Sequence, residues 1–97
     1  MTKIKQKSTI VKELKNKSIL VTGGAGSIGS ILVETLLKFP IQSVRVLDID
    51  EYALAKLNKR LQDKRLRILL GSILDKDRVD IAGDGVDIVF HLAAIKN

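Results

Sequence analysis

The chain has 97 residues, of which 45% are apolar and 29% charged, a balance that excludes a disordered segment and fits one small globular domain. It has no cysteine, which excludes disulfides and thiolate metal sites and favours a cytoplasmic location. The net charge of +6 comes mostly from residues 1–17, where six lysines face one glutamate. We therefore expect a basic N-terminal arm over residues 1–17 and a nearly neutral domain over residues 18–97.

Other classes of protein are disfavoured by what the sequence lacks. No apolar run approaches the ~20 residues of a membrane span, and residues 1–17 have no apolar core of a secretory signal, so we expect no membrane association. The lysines of the arm are able to contact phosphates, but only three aromatic residues are present to stack on bases. Nucleic-acid binding is therefore the weaker explanation of the basic arm.

Strand and helix signals alternate from residue 18 onward. The predicted elements are a buried strand over 18–22, a helix from about 26 to 39, a strand over 43–48, a helix over 51–64, a strand over 66–71, a helical turn near 75–79 and a strand over 86–94. This spacing is typical of βαβ units, which form parallel sheets with right-handed crossovers. We expect an α/β fold, a Rossmann-like three-layer αβα arrangement with strand order 3-2-1-4, truncated before the later strands of a complete version.

Helical periodicity predicts which side chains reach the core. The first helix would bury one stripe, made of Ile28, Ile31, Leu32, Thr35 and Leu36. The second helix would bury Leu54, Leu57 and Leu61. His91 lies inside the apolar last strand, where we expect a hydrogen-bonded core residue rather than a general base.

Three glycines at intervals of three follow the first strand. Gly23 would permit a tight turn, Gly26 would let a pyrophosphate approach the backbone, and Gly29 would let the helix pack closely on the sheet. The start of the helix would offer free N–H groups to the phosphates. A nucleotide-triphosphatase loop fits poorly, because Ser30 stands where such a loop needs lysine.

An acidic residue at the end of the second strand makes the glycine pattern indicate a dinucleotide-binding site. Asp48 ends the second strand, where a carboxylate accepts hydrogen bonds from the adenosine ribose. Ile49, Asp50 and Glu51 follow it and offer no cation to a 2′-phosphate, so the pattern favours NAD over NADP. The alternative is a purely structural glycine turn, with Asp48 or Asp50 capping the next helix.

Four segments of the chain resemble one family. The stretches "VTGGAGSIGS", "LDIDEYAL", "RLRILLGSILD" and "GVDIVFHLAA" are similar to the N-terminal half of extended short-chain dehydrogenases/reductases. Among these, they look most like nucleotide-sugar epimerases and 4,6-dehydratases of polysaccharide biosynthesis, of the capsule and flagellin-glycosylation type. The resemblance extends from about residue 17 to residue 97. It implies an NAD-binding Rossmann domain, with a nucleotide sugar as substrate in a full-length protein.

The resemblance also implies roles for individual residues. The pyrophosphate would lie on Gly23, Gly26, Ser27, Ile28 and Gly29, the ribose on Asp48 and Ile49, the adenine between Ser72 and Ile73, and the nicotinamide side near Ala93 and Ala94. Two positions depart from the family pattern. Ser72 stands where the family has an aspartate that accepts from the adenine amino group, and Asn97 stands where a histidine follows the lysine.

The catalytic pair of this family is Tyr-x-x-x-Lys, and the chain contains that spacing once, at Tyr52 and Lys56. The pair lies just after Asp48, at the adenosine end of the expected site, far from where a nicotinamide would react. We therefore expect neither catalytic residues nor a metal site in this chain.

Three functions remain open from the sequence. The chain is a cofactor-binding portion that is not catalytic alone, a non-enzymatic dinucleotide-binding module, or a nucleic-acid binder. The apolar last strand would be an uncovered sheet edge, so we also expect a homodimer or a domain swap through it.

Overall fold

The computed structural model of this protein describes residues 9–93. A short helix, α1, covers residues 9–14 of this part. The elements that follow are β1 (Ser18–Thr22), α2 (Ser27–Leu36), β2 (Ser43–Asp48), α3 (Glu51–Leu61), β3 (Leu66–Leu70), α4 (Lys76–Gly83) and β4 (Ile88–His91). The predicted alternation of strands and helices is confirmed. The last helix is longer than the predicted turn, and the last strand is shorter than predicted.

The four strands form one parallel sheet in the order β3-β2-β1-β4. β1 is central and pairs with both β2 and β4, so its carboxyl end is flanked by the ends of two other strands. β2 pairs in turn with β3, with Asp48 beside Leu70 at the end of the register. The predicted Rossmann-like order is therefore confirmed.

Apolar side chains cover both faces of the sheet. On one face, Ile19 and Val21 of β1 and Val44 and Val46 of β2 are fully buried beneath α2 and α3. Leu14 of α1 packs into the same cluster. On the other face, a smaller cluster places Leu20, Leu47 and Ala82 together. The larger cluster holds α2 at the end of β1, which positions the start of this helix.

The buried face of α2 differs from the predicted one. Its buried residues are Gly29, Val33 and Leu36, whereas Ile28 and Ile31 are 75% and 68% exposed. Thr35 is exposed as well, so the predicted stripe is wrong except at Leu36 and the partly buried Leu32. The reason is the close contact of Gly29 with the preceding loop, which fixes the rotation of the helix about its axis.

The helix α3 has the predicted face and a well-defined start. Leu54 and Leu57 are buried, and Leu61 packs against the same core. The side chain of Asp50 caps the helix, because its Oδ1 accepts from the backbone N–H of Ala53 at 3.0 Å. The cap is therefore Asp50 and not Asp48, which leaves the carboxylate of Asp48 for other partners.

Arg65 ties the end of α2 to the start of β3. Its guanidinium donates to the carbonyl oxygens of Leu37 at 2.6 Å and Phe39 at 2.8 Å, and pairs with the carboxylate of Asp63 at 2.9 Å. Leu37 is the C-cap of α2, where helix carbonyls lack intrahelical partners. Phe39 lies just beyond the helix, and its carbonyl also accepts a hydrogen bond from the backbone N–H of Ile41. The hydrogen bond from Arg65 also holds the pKa of Asp63 below its usual value.

Replacing Arg65 should therefore destabilise the fold. We expect Arg65→Ala to lower the free energy of unfolding by about 2 kcal/mol, because two backbone carbonyls and a carboxylate lose a charged donor. Arg67→Ala is the matched control, since Arg67 is exposed and, among residues 9–93, its side chain donates a hydrogen bond to the carbonyl of Lys64 alone. We expect a change below about 0.5 kcal/mol. Urea unfolding measures both. Equal effects of the two substitutions would contradict this role of Arg65.

Candidate functional site

A cleft of about 550 Å³ opens where the strands end. In open parallel sheets, ligands bind outside the carboxyl ends of the strands. The cleft brings together seven of the eleven predicted site residues, namely Gly23, Gly26, Asp48, Ile49, Ser72, Ile73 and Ala93. Ser27, Ile28 and Gly29 continue from Gly26 into the first turn of α2. Ala94, the last predicted site residue, lies outside the described residues.

The loop that follows β1 has no room for a side chain at several of its glycines. Gly23 has φ +73°, and a β-carbon there would lie 2.8 Å from the backbone nitrogen of Ala93. A β-carbon on Gly29 would collide with the carbonyl oxygen of Gly23. Gly24, which is not among the predicted site residues, is confined by side chains rather than by backbone, because its β-carbon would lie 2.7 Å from Cγ1 of Val46. Gly24 therefore packs the loop onto β2, and the doubled glycine was its only signal in the sequence.

Gly26 is different, because the space beside it is open. A β-carbon there would meet only the carbonyl oxygen of Gly23, at 3.5 Å. Gly26 is the N-cap of α2 and provides no side-chain cap. The first N–H groups of a helix lack intrahelical partners and carry the positive end of its dipole. This end of α2 therefore fits an anionic group such as a pyrophosphate.

The carboxylate of Asp48 connects the end of β2 to the glycine loop. Its Oδ2 accepts from the backbone N–H of Ala25 at 3.1 Å, and its Oδ1 accepts from the backbone N–H of Asp50 at 3.0 Å. Each carboxylate oxygen keeps acceptor capacity for a ligand hydroxyl. The contact with Ala25 was not predicted, because no pattern in the sequence relates two residues so far apart.

The other two strands close the cleft with small and apolar residues. After β3, Oγ of Ser72 accepts from the backbone N–H of Leu74 at 3.0 Å, which forms a tight turn. After β4, the backbone N–H of Ala93 donates to Oγ1 of Thr22 at 3.3 Å. The same Oγ1 lies 2.8 Å from Nδ1 of His91.

The environment of His91 differs in part from the prediction. His91 is hydrogen-bonded as expected, but it is exposed rather than part of the core. Within the described residues β4 pairs only with β1, so the side chains of β4 have no neighbouring strand on their other side.

Tyr52 and Lys56 lie on the exposed side of α3, as expected. Tyr52 is 76% exposed, and Nζ of Lys56 lies 6.0 Å from the centre of its ring. Both residues border a smaller pocket of about 300 Å³, which shares Gly26 with the larger cleft. No group of metal-ligating side chains occurs within residues 9–93.

Within the described part of the chain, no helix combines the length and the apolar character that crossing a membrane requires.

Comparison with known proteins shows which family this chain matches. A family model described as "polysaccharide biosynthesis protein" matches residues 19–97. A protein of Methanocaldococcus jannaschii, described as an uncharacterized membrane protein, is 52% identical over 83 residues, which are 86% of this chain and 25% of that protein. These matches confirm the resemblance seen in the motifs.

Solved structures agree in fold. Pen from Bacillus thuringiensis is 38% identical with a TM-score of 0.80, over 87% of this chain and 26% of that one. UDP-glucuronic acid 4-epimerase from Bacillus cereus, solved in complex with NAD, is 32% identical with a TM-score of 0.68, over 82% of this chain and 28% of that one. This chain thus spans about a quarter of the length of the relatives it matches.

Replacing each glycine of the loop by alanine should lower the free energy of unfolding by an amount that depends on the space around that glycine. We expect Gly29→Ala to lower the free energy of unfolding by about 3 kcal/mol or more, because its β-carbon collides with backbone that cannot yield. Gly26→Ala should change it by about 1 kcal/mol or less, since the space is open. Gly83→Ala, with no atom within 4 Å of the added carbon, is the control and should resemble Gly26→Ala. Thermal unfolding measures all three, and similar losses at Gly26 and Gly29 would contradict the assignment.

Proposed function

Because the chain belongs to the polysaccharide biosynthesis protein family, we propose that it supplies the NAD-binding portion of a nucleotide-sugar epimerase. One observation carries the proposal: a single cleft joins the uncapped start of α2, the open side of Gly26 and the carboxylate of Asp48. These are the groups that a dinucleotide needs for its phosphates and its ribose. The NAD complex of the Bacillus cereus epimerase supports this choice of cofactor.

The proposed binding mode follows the order of the strands. The pyrophosphate lies at Gly23 and Gly26 and over the first turn of α2, formed by Ser27, Ile28 and Gly29. The adenosine ribose bonds to Asp48 beside Ile49, and the base lies toward Ser72 and Ile73. The nicotinamide half extends past Ala93 toward Ala94, whose position is outside the described residues. Small residues are needed there because bulk would collide with the cofactor.

We expect NAD rather than NADP because of the charge at the end of β2. The carboxylate of Asp48 borders the cleft at the proposed ribose position. Asp50 and Glu51 follow it in the sequence, and Asp50 caps α3. A 2′-phosphate would add about two negative charges beside the carboxylate of Asp48. Its repulsion by Asp48 would outweigh any gain from the dipole of α2.

The chain's share in the reaction is cofactor binding. When bound, NAD would supply the hydride transfer that interconverts a sugar alcohol and a ketone. Proton transfer is not assigned to Tyr52 and Lys56, because they border the pocket beside α3 rather than the end of β4. A dehydratase is the alternative reaction within the same proposal, since it starts from the same oxidation. A cytoplasmic location, consistent with the absence of cysteine, completes the proposal.

Cofactor binding is tested by calorimetric titration of the 97-residue chain with NAD⁺ and NADP⁺. We expect NAD⁺ to bind and NADP⁺ to bind at least about tenfold more weakly, because of the carboxylates at the end of β2. Gly26→Ala should abolish NAD⁺ binding while the chain stays folded, because its methyl group occupies the proposed pyrophosphate position. Gly83→Ala is the control and should bind as the unchanged chain does.

Two outcomes would contradict the proposal. Equal affinities for the two dinucleotides would remove the role of Asp48 in cofactor choice. Absence of dinucleotide binding, together with salt-dependent binding of DNA or RNA, would favour the lysine-rich arm as the functional element.

We also propose that two copies associate along β4. Within the described residues this strand pairs only with β1, and Val89 is 55% exposed on it. An open strand edge with apolar side chains favours pairing with another strand. Sedimentation equilibrium should give a mass that rises toward that of a dimer with concentration, and a monomer at all concentrations would contradict this pairing.

A further inference from the structure

The order of the strands defines where a purine base would lie in the cleft. This step rests on the proposed function, with the pyrophosphate at β1 and the ribose at Asp48 on β2. The next strand in that direction is β3, whose Leu70 pairs with Asp48. The backbone N–H of Gly71 donates to the carbonyl of Asp48 at 3.0 Å, so the residues after β3 lie directly beside the ribose position. A base attached to that ribose therefore reaches Ser72 and Ile73.

This end of the cleft is apolar apart from one side chain. Ile49 and Ile73 both border it and offer aliphatic surfaces to a flat base. Among residues 71–74, Ser72 is the only one with a polar side chain. Ser72, which borders the cleft, is therefore the side chain after β3 that is able to form a hydrogen bond with the edge of a base.

The hydroxyl of Ser72 is held in place by one hydrogen bond and keeps further hydrogen-bonding capacity. Its oxygen accepts from the backbone N–H of Leu74 at 3.0 Å, and its backbone carbonyl accepts from the N–H of Asp75 at 3.0 Å. A serine hydroxyl has two acceptor positions and one donor. One acceptor position and the proton therefore remain for a ligand. A carboxylate at the same place would only accept.

We propose that Ser72 makes the site tolerant of the group at position 6 of the purine, so that NAD⁺ and its hypoxanthine analogue bind with similar affinity. The hydroxyl accepts a hydrogen bond from the amino group of adenine. By rotation of its proton, it donates one to the carbonyl oxygen of hypoxanthine. Ser72 is thus a specificity-determining residue, and its effect is to broaden the choice of base.

The test is a competition between NAD⁺ and nicotinamide hypoxanthine dinucleotide for the 97-residue chain, followed by calorimetry. We expect dissociation constants within about threefold of each other for the unchanged chain. Ser72→Asp should create a preference for NAD⁺ of about tenfold or more, because a carboxylate accepts from an amino group and repels a carbonyl oxygen. Ser72→Thr keeps the hydroxyl and is the matched control, which should retain the tolerance.

The outcomes separate this proposal from the one on which it rests. If the unchanged chain prefers NAD⁺ by more than about threefold, or if Ser72→Asp leaves the ratio of affinities unaltered, the role of Ser72 is wrong while cofactor binding stands. If neither dinucleotide binds, the proposed function fails, and the role of Ser72 fails with it.

Discussion

Three glycines around the exit from β1, Gly23, Gly24 and Gly29, have no room for a β-carbon, and the rest of the candidate site depends on this. Gly23 turns with a positive φ against the backbone at Ala93, and Gly29 lies against the carbonyl of Gly23. Gly24 packs on the side chain of Val46. These contacts bring the start of α2 to the carboxyl edge of the sheet and fix its rotation. Gly26, the glycine of this loop that has open space beside it, then lies where the uncapped helix end meets the cleft.

Asp48 holds the same loop by hydrogen bonds, in addition to the steric contacts of the glycines. Its carboxylate accepts hydrogen bonds from the backbone N–H groups of Ala25 in the loop and of Asp50 before α3. This one side chain therefore connects the loop, β2 and the start of α3. Hydrogen bonds to an ionised acceptor are stronger than neutral ones. The loop is therefore held in one geometry by contacts within the protein. Under the proposed function, this preorganisation would lower the entropic cost of binding a flexible dinucleotide.

Much of this architecture could be predicted from the sequence, and the exceptions have physical causes. The strands and their order follow from apolar runs and βαβ spacing, and the glycine spacing with Asp48 indicated the site. The buried face of α2 could not be predicted, because Ile28, Ile31 and Val33 are equally apolar and only the contact of Gly29 selects among them. The hydrogen bonds of Asp48 and Ser72 depend on three-dimensional proximity and local turns, which leave no periodic signal.

The central claim is that one ligand touches the start of α2 and the ends of β2 and β3 together. Backbone amide NMR during a titration with NAD⁺ tests it most directly. We expect shifts at Ser27, Ile28, Ile49 and Ile73 that follow one dissociation constant. Shifts confined to the pocket beside α3, around Lys56 and Arg60, or amides at the start of α2 that do not respond to NAD⁺, would contradict it.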